Sequence, residues 1–540
     1  MGITNCDIIT KGKRDKLVEF CIKDTTMSIS VLCQHNERQY KGIVLAYKHK
    51  SDLDKQAYLI PTDIETTKKG LKLSAIIDLS QMEFRMTNWQ VLVAYEEDGQ
   101  LYGAGVKAES GSQAEYKHFL DNYCAELGDY IFFPYYSKAG TLNFRYRPRN
   151  EYDSDKIHER EAIAYKNSRK LFGNKLKKED IVLIFEKRCT SAQDNGYYLF
   201  KYCMEAGVNE KGKRKVYYVV DKRTSAYEKI KEYDKYILDF MSLEHMEHLL
   251  AANILVSSES RLHAYAWHSK NSIIAPNIQD KKHVFLGHGI LALKQLNNSF
   301  TAKTMSSSLV TVSSEREGNI FKDYLGYTDD AISLSGYARF DALEDKSDQF
   351  REILIMPTHR ERLFGIEKER FVESEYYKRY MNLINSERFL SLLEKNDLKA
   401  KFYLHPSIRE QIDLFKSNND RVEIIKYGEV ALDELMMRCK MLITDYSSIT
   451  WDVLYMNKPV CFYQFDREEY LGSWGSYVDL EKDLPGDCAT EEEDLINQIE
   501  KIIDNNFQIN EENSKKLKDF YKYNDRDNCK RIWEEIAKLI

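Results

Sequence analysis

From Lys178 onward the sequence alternates short apolar runs with stretches of helical character, and this grammar constrains the fold more than any other feature. One set of runs comprises Ile181 to Phe185, Lys215 to Val220, Asn253 to Val256, His283 to Leu286, Leu309 to Val312 and Ile332 to Leu334. A second comprises Ile353 to Met356, Lys401 to Leu404, Val422 to Ile425, Met441 to Ile443 and Val460 to Tyr463. Runs apolar at every position are strands buried on both faces, and helices between them make the sheets parallel and doubly wound. Leu432, Leu435, Met436 and Cys439 fall on one helix face just before the Met441 run. Two sets predict two Rossmann-like lobes facing across a cleft, divided near Ala342 to Phe350, with Glu491 to Ile540 packing on them or crossing between them.

The region before Lys178 reads differently. From Ile8 to Tyr146 short alternating segments such as Met27 to Cys33, Lys41 to Tyr47, Leu71 to Leu79 and Trp89 to Tyr95 predict a small all-β, sandwich-like domain. The domain expectation is therefore 1–150 for a β-rich accessory domain, 151–345 for the first lobe and 346–540 for the second with its helical tail. Between them Ala162 to Lys178, with Lys166, Arg169, Lys170, Lys175, Lys177 and Lys178 around a thin apolar face, reads as a solvated linker helix or a basic helix on a membrane surface. Gly103-Ala104-Gly105 fits the loose dinucleotide pattern but lies in the β-rich region with no helix behind it, so no cofactor site is expected there.

Bulk properties narrow the function classes. With 540 residues, 43% hydrophobic and 31% charged, the chain has the composition of a multidomain globular protein. A net charge of -7 argues against a general nucleic-acid binder. No apolar run is long enough to span a bilayer and Met1 to Lys16 has no signal-peptide core, so a cytosolic location is expected. The ten cysteines are scattered without zinc-like spacing, and no paired-carboxylate metal motif occurs, so no protein-bound metal is expected.

Five segments carry chemistry. Met441 to Asp452 is an apolar strand that ends in Ser447-Ser448 and enters a helix, a setting that serves either as a phosphate seat or as an ordinary helix cap. Upstream stand Phe285 to Lys294 with His288 between Gly287 and Gly289, then Gly336-Tyr337-Ala338-Arg339-Phe340-Asp341, Pro357-Thr358-His359-Arg360, and Leu404-His405-Pro406. Each lies where an apolar run stops, the edge at which α/β enzymes hold their ligands.

In this order the five segments resemble the CDP-glycerol glycerophosphotransferase family, the teichoic-acid primases and polymerases, which include ribitol-phosphate transferases. The resemblance implies a GT-B-like architecture over roughly Lys178 to Lys530, with the CDP-polyol donor in the C-terminal lobe. A lipid-linked polyol-phosphate or glycan acceptor would enter from the N-terminal lobe, and the protein would work peripherally at the cytoplasmic face of the membrane. The implied reaction moves glycerol phosphate or ribitol phosphate to that acceptor and releases CMP, in teichoic acid or capsule synthesis. It needs a base and fixed donors around a pyrophosphate. The expected assignments are His288 as base, His405 on the donor phosphates, and Ser447, Ser448, Arg409 and Thr444 around the pyrophosphate. Arg339, Asp341, Thr358, Arg360, Asp445 and Asp452 are expected at the donor site or hinge, with Asp452 sharing a helix face with Ser448, and Lys294, on a helix after His288, meeting acceptor phosphate. No tightly bound cofactor is implied beyond a divalent ion carried in with the nucleotide. Where many members have an aromatic residue before the first histidine and tryptophan in P-T-W-R, this chain has Gly287 and His359, which leaves the exact donor and acceptor open. Two other readings remain: a GT-B nucleotide-sugar glycosyltransferase, and a glycan- or protein-binding scaffold with an inactive transferase half.

Overall fold

The computed structural model describes residues 4–35, 37–47, 56–107, 124–137, 140–171, 180–266, 272–296, 300–363 and 366–540. Two compact units result: Met1–Asn167 with Ala266–Asn277, and Ser168–Tyr265 with Ile278–Ile540.

Up to Pro148 the described residues of the first unit form strands, mostly antiparallel to their neighbours, with one 3-10 turn at Leu79–Gln81. Its two halves join through a parallel pairing of Gln100–Lys107 with Asp15–Lys23, so the hydrogen-bonded path is continuous rather than split into separate sheets. Both halves contribute to one core, in which Phe20 meets Phe144 with ring centroids 5.4 Å apart. Gly103 and Gly105 lie in the Gln100–Lys107 strand, and a Cβ at Gly103 would press on Ile8 and Leu92; the glycines serve packing. The helix Asp155–Leu171 follows the strands, and its fully buried Glu161 accepts hydrogen bonds from Ser272 Oγ and the Ile273 N–H. Residues 266–277 thus return to the first unit, which a boundary at 150 does not anticipate, because among the described residues the tie joins a buried carboxylate on the helix to a loop far along the chain, which no local apolar pattern announces. In the basic stretch after Ala162, the Arg169 and Lys170 side chains and residues 172–179 lie outside the described residues.

Within the second unit the first sheet has strands β1 Asp180–Phe185, β2 Arg214–Val220, β3 Ile237–Asp239, β4 Ile254–Ser257, β5 Lys282–Phe285, β6 Leu309–Val312 and β7 Ile332–Leu334. Their order is β3-β2-β1-β4-β5-β6-β7, all parallel. The second sheet has β8 Glu352–Ile355, β9 Lys399–Tyr403, β10 Val422–Ile425, β11 Cys439–Thr444, β12 Val460–Tyr463 and β13 Asp487–Ala489, in the order β10-β9-β8-β11-β12-β13, again all parallel. Both lobes are therefore doubly wound with the same switch in direction: between β1 and β4 in one, between β8 and β11 in the other. Alternation inside the apolar runs supplies two cores per sheet. Ile353 and Ile355 face a core with Phe402 and Ile443, while Leu354 and Met356 face another with Leu442 and Trp451.

The second of those cores also takes in Ile290, Leu293, Tyr337 and Phe340 from the N-terminal lobe, so the segments after β5 and β7 form the seam between lobes. The tail divides. Leu495, Ile496 and Ile499 of the helix Glu492–Asp504 pack in the C-terminal lobe, whereas Cys529, Ile532 and Ile536 of the helix Asn528–Leu539 pack against Leu199 and Phe200 of the N-terminal lobe.

Candidate active site

The crevice beyond the C-terminal ends of β1, β4 and β5 holds the first site. Here β1 runs into Glu186 and then the helix α1 Asn195–Glu205; the buried Glu186 carboxylate accepts N–H bonds from Gln193, Asp194 and Tyr197 and so fixes the start of α1. Asp194, the N-cap residue, turns its side chain to His288, with 2.7 Å between Oδ2 and Nδ1. On the other edge of the ring, Nε2 lies 3.4 Å from Glu259, which leaves the sheet just after β4. Gly287 and Gly289 allow this placement: their φ angles are 64° and 132°, and a Cβ on either would strike the Tyr337 ring or the Arg339 guanidinium.

Electrostatics follow from that geometry. Burial on its own pushes the His288 pKa down, but hydrogen bonds and charge from Asp194 and Glu259 prevail and raise it to about 10. The side chain is 43% exposed, so solvent tempers the shift, and its direction is set by two carboxylates on opposite ring edges. Asp194 is held well below the usual carboxylate range: burial opposes ionisation, and the His288 hydrogen bond, with the charges of His288 and Arg339, overcomes it. Burial, reinforced by the Asp194 charge, pushes Glu186 up to about 7.

Arg339 ties this site to the other lobe. Its guanidinium donates to both Asp452 oxygens at 2.5 and 2.8 Å, to Asp194 at 3.1 Å and to the His288 carbonyl at 2.7 Å, while its N–H donates to Asn195 Oδ1 at 3.0 Å. Asp452 sits in α2, Ile449–Tyr455, and is buried. Its carboxylate pairs with Arg339 rather than orienting Ser448, because a buried carboxylate is held by the nearest cation. Asp341 is likewise placed away from a ligand: it accepts from the Asn528 and Cys529 N–H groups at 2.9 and 2.7 Å and caps the last helix.

The second site lies beyond β8, β9 and β11. Ser447 is buried and Ser448, the N-cap of α2, is exposed with no side-chain capping bond. His359 and His405 lie against each other with ring centroids 4.3 Å apart and planes tilted by 41°, so an imidazole stands in the position where the family pattern has tryptophan. Burial and nearby cations lower both: His405 to about 4 by burial, then His359, Lys187 and Lys294, and His359 to about 4 by burial, then Lys294 and Arg360.

Several expected residues hold the loops instead. The Thr444 hydroxyl is fully buried and donates to the Met356 carbonyl at 2.6 Å, tying β11 to β8, so it does not reach a pyrophosphate. Asp445 accepts from the Thr358 and Tyr446 N–H groups at 2.7 and 2.6 Å and pairs with Arg360 at 2.8 Å. Arg360 is buried and also grips Asp466 with two bonds of 2.7 and 2.9 Å, which leaves its charge within the protein. The Arg409 side chain lies outside the described residues.

Lys294 departs most from expectation. Residues 287–296 form no helix; they run as a strap along the C-terminal lobe, with Tyr477 N–H donating to Ala292 O at 2.9 Å, Tyr470 Oη to Leu293 O at 3.0 Å and Gln295 N–H to Gly475 O at 3.3 Å. Lys294 Nζ therefore lies 3.1 Å from the centre of the Trp474 ring, and its charge falls on His359 and His405 of the donor lobe. Sequence reasoning missed Asp194, Glu259 and Glu186. Asp194 had a signal, an Asp before a helix start, but nothing in the linear order links it to His288, 94 residues away. Among the described residues no group of three or more His, Cys, Asp or Glu side chains forms a metal site.

Residues 166–538 match the profile of the CDP-glycerol:poly(glycerophosphate) glycerophosphotransferases, well over half the chain. The chain belongs to this family. Among curated relatives, the minor teichoic acid biosynthesis protein GgaB of Bacillus subtilis (strain 168) is 29% identical over 367 residues, covering 66% of this chain and 40% of that protein. The teichoic acid glycerol-phosphate primase of the same strain is 28% identical over 249 residues, covering 44% of this chain and 58% of the primase. The chain thus spans about half the length of the curated relatives it matches. The structure of the wall teichoic acid polymerase TagF superposes with a TM-score of 0.50 at 18% identity, over 71% of this chain and 98% of that one; it shares the fold.

Proposed function

We propose that this glycerophosphotransferase family member transfers glycerol phosphate or ribitol phosphate from a CDP-polyol to a lipid-linked or growing polyol-phosphate or glycan acceptor, releasing CMP. The observation that carries the reading is the pair of opposed sites at equivalent switch points, His288 with Asp194 and Glu259 on one lobe and His359, His405, Ser447 and Ser448 on the other, joined by Arg339. The family match and the teichoic-acid names of the relatives agree with it. In the proposed step the acceptor hydroxyl oxygen bonds to the distal phosphorus, the bond from that phosphorus to the CMP oxygen breaks, and the hydroxyl proton passes to His288 Nε2. Asp194 holds the ring through Nδ1 and stabilises the imidazolium that results. Because the two carboxylates favour the protonated ring, only the neutral fraction of His288 can act as base, and that fraction grows with pH. Neutral His405 and His359, on which the Lys294 charge falls, and the exposed Ser448 hydroxyl suit the pyrophosphate.

The work is proposed to take place on the cytoplasmic face of the membrane, for teichoic acid or capsule, with peripheral attachment; no described helix is long and apolar enough to cross a membrane. The test is CMP release by the full chain given CDP-glycerol or CDP-ribitol, with a lipid-linked polyol-phosphate acceptor and a UDP-sugar control. Acceptor-dependent CMP from one CDP-polyol is expected; UDP release without CMP would replace the reading with a glycosyltransferase.

A further inference from the structure

Between β1 and α1 the backbone does something no sequence pattern announces. Lys187, Arg188 and Cys189 are three consecutive non-glycine residues with positive φ, at 38°, 58° and 61°. Such conformations are sparse for single residues, and a run of three persists only where the surroundings impose it. Here they do: the Cys189 N–H donates to Glu186 O at 2.6 Å, its carbonyl accepts from the Asp221 N–H at 2.7 Å, and the buried Cys189 thiol points to the His263 carbonyl at 3.6 Å. Thr190 Oγ1 closes the turn on Lys187 O at 2.7 Å.

The turn presents two exposed cations, Lys187 and Arg188. Neither forms an ion pair among the described residues, while Arg339 and Arg360 are each held by two carboxylates and Lys294 lies over the Trp474 ring. Register places them. Phe185 of β1 is paired with Ser257 of β4, so the residues that follow each strand, Glu186-Lys187 and Ser258-Glu259, leave the sheet side by side at the switch point. Glu259 is the residue 3.4 Å from His288 Nε2. The Lys187 charge is felt by His405 on the opposite lobe and the Arg188 charge by His263, which lies 3.7 Å from Glu259. A strained, anchored turn that holds two unpaired cations at the mouth of the crevice is a preorganised receptor for an anion.

We propose that the Lys187–Arg188 turn is a phosphate-binding element that reaches across the cleft to a phosphate group of the substrate. The inference rests on the reaction proposed above for its substrate class. The shared chemistry is a phosphate oxygen held by an ammonium and a guanidinium; it could belong to the donor's pyrophosphate or to the acceptor's terminal polyol phosphate.

The test titrates the full chain, and its Lys187→Met and Arg188→Met variants, with CDP in one arm and glycerol 3-phosphate in the other, by calorimetry at two salt concentrations. A tenfold or greater loss of affinity for at least one ligand, with a shallower salt dependence, is expected, and the arm that loses affinity names the source. Lys187→Arg should recover most of the binding, which a purely structural role for the turn does not require. Thermal midpoints of the variants should stay within about two degrees of the parent chain. Affinities within twofold of the parent in both arms, or no binding of either ligand by the parent, would overturn the proposal. Failure of the transfer reading shows separately: the same preparation would yield no CMP from any CDP-polyol while the variants still lose anion affinity.

Discussion

The two lobes have the same strand order and the same switch point, yet they set histidines in opposite states. In the N-terminal lobe two carboxylates flank His288 and raise its pKa; in the C-terminal lobe burial and the charges of Lys187, Lys294 and Arg360 lower those of His405 and His359. One parallel sheet therefore does not dictate one kind of site. What differs is the segment that follows each strand, which carries Glu186, Asp194 and Glu259 at one crevice and histidines, serines and an inward-turned arginine at the other. Groups whose environments push their pKa values apart are the ones to which proton transfer and charge stabilisation can be assigned. The first site suits holding and moving a proton, the second suits receiving an anion.

The largest break in this comparison comes from removing the ring that the carboxylates flank. His288→Ala is expected to lower acceptor-dependent CMP release by roughly a hundredfold to ten-thousandfold, with an unchanged circular dichroism spectrum. Next is the tie between sites: Arg339→Met leaves Asp452 buried beside no cation and should destabilise the chain by about 3–5 kcal/mol in denaturant titration. A destabilisation under about 1 kcal/mol would show that the lobes are not joined through this pair.

Asp194→Asn sharpens the comparison without deleting a ring. It removes the first hydrogen bond that raises His288, so the apparent pKa governing CMP release should fall from the alkaline range toward about 6.5, the value of a free imidazole. Measured as kcat/KM against pH, the parent should still be rising at pH 8, while the variant, with Glu259 alone raising the ring, should level off at a lower pH than the parent. A smaller effect is expected at the second site. A pyrophosphate bound beside His359 and His405 should raise their depressed pKa values, so near pH 5 CDP binding should take up protons, seen as a dependence of calorimetric heat on buffer ionisation. His405→Asn should reduce that uptake.

The smallest effect is on stability. His288 has a folded pKa above its unfolded value, so its contribution is complete below about pH 6.5 and is lost as pH rises toward about 10. His359 and His405 have folded values below the unfolded one, so their neutral burial favours the folded state above about pH 6.5, and that advantage is lost as pH falls toward about 4. Thermal midpoints of His288→Gln against the parent should differ most in mild acid and converge in the alkaline range.

Much of the scaffold was legible because its strands are apolar on both faces: every run named in the sequence after Lys178 lies on a strand of the two sheets or overlaps one by all but an end residue. The two strands missed, Ile237–Asp239 and Asp487–Ala489, are three-residue edge strands that each carry an aspartate, unlike Ile332–Leu334, an edge strand of the same length without a charge. The helix Leu432–Arg438 follows from its apolar spacing. The site was legible only in part, because its polar residues are read by partner and not by neighbour. The G-Y-x-R-x-D segment shows this: Tyr337 bonds Glu317, Arg339 bonds Asp194 and Asp452, and Asp341 caps the last helix, four destinations that lie far apart in the chain. Lys294 was misplaced for a related reason. Its apolar neighbours Ile290, Leu291 and Leu293 read as a helix, but Ile290 and Leu293 bury themselves in the seam between lobes.

The contrast between a protonated and a neutral histidine across one cleft can be measured directly by titrating histidine ring carbons in the full chain by NMR, with His288→Gln and His405→Asn variants to assign the signals. The structure leads to a His288 signal that keeps its protonated shift up to at least pH 8, and a His405 signal that stays neutral down to about pH 5. Both rings titrating together near pH 6.5 would contradict the assignment of proton transfer to one lobe and anion binding to the other.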